Sequence, residues 1–174
     1  MSSRPVDLRA VEAGLRELEA ADRFSGVVGV KRGNHDLLSG AFGYASRTWD
    51  VPMAPGMRFD SASITKVFTA VATLQLVESG AFDLDTSVIE YLRLQGTGIS
   101  AAVTPYHLLS HTSGIADDAD EEAGERYEDL FRERPPNYAL LETVDFLPQF
   151  VGKRPNFPPG TGCRYCNAGY VLLG

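Results

Sequence analysis

The segment from Ser61 to Val77 constrains the fold most, because Lys66 is its only charged residue. The remaining residues are apolar on most faces of a helix, which predicts a buried helix. Lys66 lies three residues after Ser63, one turn further along, so its amine can approach the serine hydroxyl. Burial disfavours the ammonium form of Lys66, so its amine can act as a base. Acyl transfer through a serine ester requires such a base beside the weak serine nucleophile. Alternatively, the Lys66 amine reaches a nearby surface and Ser63 only begins the helix.

Composition narrows the class of protein. The chain has 174 residues, 44% hydrophobic and 22% charged, as in ordinary globular proteins. Its formal charge of −7 gives no electrostatic reason to expect nucleic acid or an anionic membrane as partner. The acidic residues over 117–122 and 128–129 are predicted to form a solvated loop that runs into a helix start. This run lacks the spaced ligands and glycine of a calcium loop, so no metal site is predicted there.

The sequence also bears on location. It contains no run of about 18 apolar residues, so no membrane-spanning helix is expected. Residues 1–22 alternate charge with leucine and do not form a secretory signal. The lack of a secretory signal and the presence of only two cysteines together favour a cytoplasmic protein. If a signal has been removed, the protein would be periplasmic.

Hydrophobic periodicity predicts the order of elements. A helix over 5–22 is followed by strands over 24–31 and 36–44, joined by a tight turn at Gly33-Asn34. Residues 45–59 are predicted to be a loop. Short helices are predicted over 86–92, 105–110, 125–132 and 138–146.

Two features suggest an incomplete fold. A lone two-stranded hairpin is marginal in water and needs further strands or a covering layer. The apolar run over 168–174 has no polar stop signal. We therefore expect this chain to be the first part of a longer fold.

Four motifs occur in order along the chain: Ser63-x-x-Lys66, Leu-Leu-Ser-His-Thr-Ser-Gly-Ile over 108–115, Pro-Gly-Thr over 159–161, and Tyr165-x-Asn167-x-Gly-Tyr. Together they resemble the serine β-lactamase and penicillin-binding-protein superfamily, above all its branch of class C β-lactamases, D,D-peptidases and family VIII esterases. The resemblance implies an α/β (α+β) β-lactamase/transpeptidase-like fold. Residues 1–60 would supply a helix and β-hairpin of an antiparallel sheet. Residues 61–174 would form a mostly helical domain, with the C-terminal strands missing.

The resemblance also implies roles for four residues. Ser63 would be the nucleophile, and Lys66 and Tyr165 would jointly handle its proton, the choice of base being left open. Asn167 would bind the substrate carbonyl and help to position Lys66. The implied reaction is hydrolysis of a small amide or ester through an acyl-enzyme, with no metal or organic cofactor, and the identity of the substrate stays open.

One family motif is absent from the chain. No Lys-Thr-Gly or His-x-Gly follows Tyr165-x-Asn167, and the family strand that carries this motif supplies the second donor of the oxyanion hole. Loss of one such donor typically lowers turnover about 100- to 1,000-fold. We therefore expect the chain alone to be weak or inactive, and competent only with a complementary C-terminal segment or a second copy.

Three other interpretations remain open. The chain could be a non-catalytic scaffold or binding protein of the same superfamily. Cys163-x-x-Cys166 could be a redox pair, although a zinc site would need two more ligands nearby. A histidine-based triad could use His107 or His111, although the Gly-x-Ser-x-Gly motif of a nucleophile elbow does not occur.

Overall fold

The computed structural model describes residues 7–120, 124–126, 128 and 139–174. Backbone contacts divide the chain into two compact units, Met1–Asp60 and Ser61–Gly174. The predicted helix over 125–132 lies largely outside the described residues. None of the helices in the described ranges is long and apolar enough to cross a membrane.

The first unit contains one helix and a β-hairpin. Helix α1 spans Leu8–Ala20, and the Asp7 carboxylate before it accepts the Arg9 and Ala10 amides as an N-cap. Strands β1 (Gly26–Arg32) and β2 (His35–Phe42) pair antiparallel. This hairpin confirms the predicted one.

A second strand pair lies within the predicted loop. Strands β3 (Tyr44–Ser46) and β4 (Val51–Pro52) pair antiparallel, so the loop prediction over 45–59 is wrong there. Asp50 adopts a φ of 50°, which helps the chain to reverse between the two strands. The prolines indicated a loop, but a proline is tolerated in so short an edge strand.

The second unit is mostly helical. A 3₁₀ turn over Ala62–Ile64 leads directly into helix α2 (Thr65–Glu78). The later described elements are α3 (Val88–Leu92), α4 (Pro105–Leu109), a 3₁₀ helix (Thr143–Gln149) and α5 (Asn167–Leu173). The helix predicted over 138–146 is therefore shifted, because the Asp145 side chain caps the chain at Glu142 and the helix extends to Gln149.

The core of the second unit reaches the Tyr-x-Asn motif. Its buried members are Val88, Ile89, Ile99, Val103, Leu108, Ile115, Phe150, Cys166, Ala168 and Leu172. Cys166 and Ala168 alternate with Tyr165 and Asn167 along the chain, and both are almost fully buried. The motif is therefore anchored through the residues next to Tyr165 and Asn167.

Helix α2 is largely uncovered. The exposed fractions of Val67, Phe68 and Val71 are 61%, 71% and 51%. Thr73 is the helix's buried residue. The prediction of a buried helix is therefore wrong for this chain, because no described segment covers these side chains.

Candidate active site

Ser63 lies in the 3₁₀ turn that precedes α2, with its side chain exposed. The residue before it, Ala62, has a φ of 44°, in the left-handed region that side chains with a Cβ rarely adopt. The Ser61 and Thr65 hydroxyls bond across the turn at 2.9 Å. A strained residue beside an exposed serine hydroxyl is a feature that clusters at functional sites.

The structure brings all four predicted site residues together. Ser63 Oγ lies 2.6 Å from Tyr165 Oη. Lys66 Nζ donates to Asn167 Oδ1 at 2.7 Å and lies 3.4 Å from Ser63 Oγ. The first two distances are those of strong hydrogen bonds, whereas 3.4 Å is longer than an ordinary N–H···O bond. The close partner of the serine hydroxyl is thus the phenol rather than the amine.

Aromatic rings surround the Lys66 amine. Its Nζ lies 4.8 Å from the centre of the Tyr165 ring and 5.5 Å from that of Tyr170. A cation this close to a ring face is attracted by the ring quadrupole. The half-buried amine is therefore held by Asn167 and by two rings, in a position to place positive charge beside the Ser63–Tyr165 pair.

The segment over 111–117 fixes the backbone of the Tyr-x-Asn motif. The Arg164 amide donates to the His111 carbonyl at 2.9 Å, and the Cys166 amide donates to His111 Nδ1 at 3.1 Å. The next two amides, of Asn167 and Ala168, donate at 2.8 Å to the two oxygens of Asp117. His111 and Asp117 thus bind the amides on both sides of Tyr165.

Sequence reasoning missed the position of Asp117. It was predicted within a solvated acidic loop, yet only 8% of the residue is exposed. One local signal was available, since Cys166 before α5 supplies no side-chain cap for the helix. The first amides of such a helix need an acceptor from elsewhere in the chain.

The neighbouring acidic residues also depart from the prediction. Burial, followed by a hydrogen bond with Asp117, raises the pKa of Asp118 to about 6. Asp120 forms an ion pair with Arg164. Lys153 Nζ donates to the Asp117 and Asp118 carbonyls at 2.9 Å. The first part of the acidic run is therefore packed against the site rather than solvated.

A polar cavity of about 130 Å³ adjoins the motif. Its walls include the side chains of Tyr165 and Asn167 and an ion pair, Asp120–Arg164. The other lining residues are Ile115, Asp117, Ala119 and Asn156. This cavity is large enough for a small polar group.

The remaining candidates have other contacts. Burial raises the pKa of the Cys166 thiol to about 12, which makes it a poor nucleophile, and Cys163 is a free, exposed thiol. His107 Nδ1 contacts Thr104 in the capping box of α4. Within the described ranges, no group of three or more His, Cys, Asp or Glu side chains could hold a metal ion.

Comparison with known proteins identifies the family. The Beta-lactamase family model matches residues 9–174, and the chain belongs to this family. Penicillin-binding protein 4 of Amycolatopsis lactamdurans is 36% identical over 143 residues, which cover 80% of this chain and 33% of that protein. Esterase EstB of Burkholderia gladioli is 34% identical over 148 residues, covering 82% and 38% of the two chains.

A solved structure extends the likeness to the fold. The penicillin-binding protein from Bacillus halodurans matches with a TM-score of 0.79 and 38% identity, over 92% of this chain and 48% of that one. The predicted β-lactamase/transpeptidase-like fold is thereby confirmed. The chain spans about a third of the length of these curated relatives and about half of the solved one.

Proposed function

We propose that this chain carries the nucleophile and proton-handling residues of a serine hydrolase that acts on a small amide or ester through an acyl-enzyme. The observation that carries the proposal is the 2.6 Å contact between Ser63 Oγ and Tyr165 Oη, beside a Lys66 amine bound to Asn167. A nucleophile in hydrogen-bond contact with a proton acceptor, which a third group orients, is the signature of covalent catalysis. A solvated surface serine has no need of such partners.

The geometry supports a relay through the phenol. Ser63 Oγ attacks the carbonyl carbon and a C–O bond forms. As the bond from that carbon to the leaving alcohol or amine breaks, Tyr165 Oη gives its own proton to the leaving group and takes the serine proton in its place. Water then cleaves the acyl-serine ester, with the same groups returning the protons in reverse.

Lys66 acts in this scheme through its charge. Its ammonium group stabilises negative charge that develops on the Tyr165 oxygen, because the amine lies 4.8 Å from the phenol ring centre. The Asn167 Oδ1 atom accepts one hydrogen bond from the Lys66 amine and so holds the amine close to the Tyr165 ring. We further propose that the Asn167 side-chain NH₂ group, a hydrogen-bond donor, binds the substrate carbonyl.

The substrate class follows from the reaction and is supported by the relatives. A penicillin-binding protein and an esterase both have names that point to carbonyl compounds as ligands. Amide and ester carbonyls can both be attacked by a serine hydroxyl. We therefore propose a small amide or ester as substrate, with its polar end in the cavity beside Asn167.

The finer organisation is also a proposal. The side chains of Val67, Phe68 and Val71 on α2 are exposed and apolar, so an apolar surface could pack against them. We assign that surface to a complementary C-terminal segment of the family fold. A second copy of this chain is the alternative. Residues 1–60 would contribute to the sheet domain and 61–174 would form the helical domain. The free thiols of Cys163 and Cys166 fit a reducing compartment, the cytoplasm.

Covalent labelling tests the function. The chain is incubated with a fluorescent penicillin and with a fluorophosphonate, and adducts are mapped by peptide mass spectrometry. We expect an adduct on Ser63 that disappears in Ser63→Ala. Ser79→Ala, at the other end of α2, is the matched control and should label like the wild type. If Ser63 stays unlabelled even after a complementary segment is added, the non-catalytic scaffold is favoured.

A further inference from the structure

The His111 imidazole is packed against two tyrosine rings of the site. Its ring centre lies 4.6 Å from that of Tyr165 and 5.3 Å from that of Tyr170, with interplanar angles of 34° and 35°. His111 itself has a φ of 57°, in the left-handed region. This backbone conformation allows both the carbonyl and the ring of His111 to face the segment over 164–166.

Two hydrogen bonds to His111 flank Tyr165. The Arg164 amide before it binds the His111 carbonyl, and the Cys166 amide after it binds Nδ1. A ring nitrogen that accepts a hydrogen bond carries no proton, so the imidazole is neutral with its proton on Nε2. Protonation at Nδ1 would remove this acceptor and place a second donor against the Cys166 N–H.

We propose that neutral His111 is a positioning residue that holds Tyr165 against Ser63, and that protonation of Nδ1 loosens Tyr165 and slows acylation. The proposal rests on the proposed function of Ser63. His111 touches no reacting atom in this scheme. It acts through the backbone on either side of Tyr165 and through the face of its ring.

The groups around His111 favour its neutral form. Lys66 on α2 faces it with a positive charge, and Asp117 beyond the turn faces it with a negative one. The phenols of Tyr165 and Tyr170 and the thiol of Cys166 are the other titratable groups packed nearby. Burial, then Lys66, lowers the pKa of His111 below its usual 6.5, and Asp117 opposes this in part.

The pH dependence follows in sign. Well above pH 6.5 the imidazole is neutral both in the folded chain and in the unfolded one, and Tyr165 is held. As the pH falls through the lowered pKa of the folded chain, Nδ1 gains a proton and the Cys166 amide loses its acceptor. Acylation of Ser63 should therefore decline on the acid side of pH 6.5.

Two substitutions separate positioning from bulk packing. His111→Asn keeps an acceptor near the Nδ1 position and suits a left-handed backbone, but it cannot gain a proton. His111→Ala removes both the acceptor and the stacked ring. His35→Asn, on the exposed hairpin strand, is the matched control for loss of a histidine.

The first readout is the rate of Ser63 labelling by a fluorophosphonate between pH 5 and 8. Wild type and His35→Asn should lose rate toward acid pH, whereas His111→Asn should keep a near-wild-type rate at pH 7.5 and show no such loss. His111→Ala should label about 10- to 100-fold more slowly than the wild type at pH 7.5, as expected for a displaced catalytic group, and this difference should shrink toward acid pH. An acid decline that persists in His111→Asn, or wild-type labelling of His111→Ala, would overturn the proposal while leaving the hydrolase intact.

The second readout does not depend on activity. The imidazole ¹⁵N signals and the ¹³Cζ signal of Tyr165 are followed by NMR during a pH titration of the full chain. We expect His111 Nδ1 to be unprotonated at pH 7.5 and the Tyr165 signal to move with the midpoint of His111, a movement that His111→Asn abolishes. A Tyr165 signal that does not change as His111 titrates would overturn the proposal. If Ser63 does not label at all, the proposed function fails instead, and with it the positioning role of His111.

Discussion

Removal of the Asp117 carboxylate should strongly destabilise the second unit. Both of its oxygens accept amides at the start of α5, those of Asn167 and Ala168, at 2.8 Å. The carboxylate is buried, and α5 has no side-chain cap of its own at Cys166. A buried donor left without an acceptor costs about 1–3 kcal/mol. Asp117→Ala leaves two such donors, so we expect the free energy of unfolding to fall by about 3–5 kcal/mol.

Two comparison variants test the reasoning behind this magnitude. Asp117→Asn keeps one acceptor oxygen, so its loss should be about half that of Asp117→Ala. Asp145→Ala removes a carboxylate with the same chemistry, since its Oδ2 accepts the Leu141 and Glu142 amides at 2.9 Å. Asp145 is only half-buried and its two hydrogen bonds are exposed, so water can replace the carboxylate and its removal should cost clearly less.

The assay combines global and local measurements. Urea unfolding followed by circular dichroism gives the free energies, and hydrogen exchange with mass spectrometry reports on residues 164–174. Asp117→Ala should lose protection first at the Asn167 and Ala168 amides. If it is no less stable than Asp145→Ala, or if protection at these two amides is unchanged, then Asp117 does not hold α5 in place.

Two further predictions concern the same loop. Asp118→Asn should raise the free energy of unfolding at pH 7.5 by about 1 kcal/mol, with solvent screening allowed for. Because the pKa of Asp118 is raised to about 6, the folded chain favours the protonated carboxyl. Protonated Asp118 therefore adds to the free energy of unfolding fully below pH 3.8, and this contribution is lost as the pH rises through 6. The gain should therefore vanish in urea unfolding at pH 3.5, and an equal gain at both pH values would contradict the raised pKa. Gly114→Ala should lower the melting temperature much more than Gly96→Ala, because both glycines have a positive φ but only at Gly114 would a Cβ meet the Phe157 carbonyl. Equal melting temperatures for the two variants would contradict this contact.

The sequence predicted those features that depend on neighbouring residues. The hairpin around Gly33 and the helix after Ser63 follow from turn chemistry and periodicity. Order along the chain suggested that Ser63, Lys66, Tyr165 and Asn167 belong to one site, and the structure brings them into hydrogen-bond distance. Their catalytic roles stay a prediction.

Features that depend on distant residues were missed. Asp117 caps a helix that begins 50 residues later, and no local pattern distinguishes such a buried carboxylate from a solvated one. The strand pair around Asp50 was hidden by the proline that ends it. The apolar residues of α2 predicted burial, and that prediction is wrong for this chain because an apolar pattern does not say which segment covers the helix.

The geometry of the site depends more on the segment over 111–117 than on α5. Helix α5 spans seven residues, fewer than an isolated helix needs to be stable in water. Its first amides depend on Asp117, and the position of Tyr165 just before it depends on His111. The turn at Gly114, with a φ of 68°, lies between these two anchors and so helps to set their separation. Under the proposed function, residues that give no atom to the reaction therefore determine whether the phenol reaches the serine.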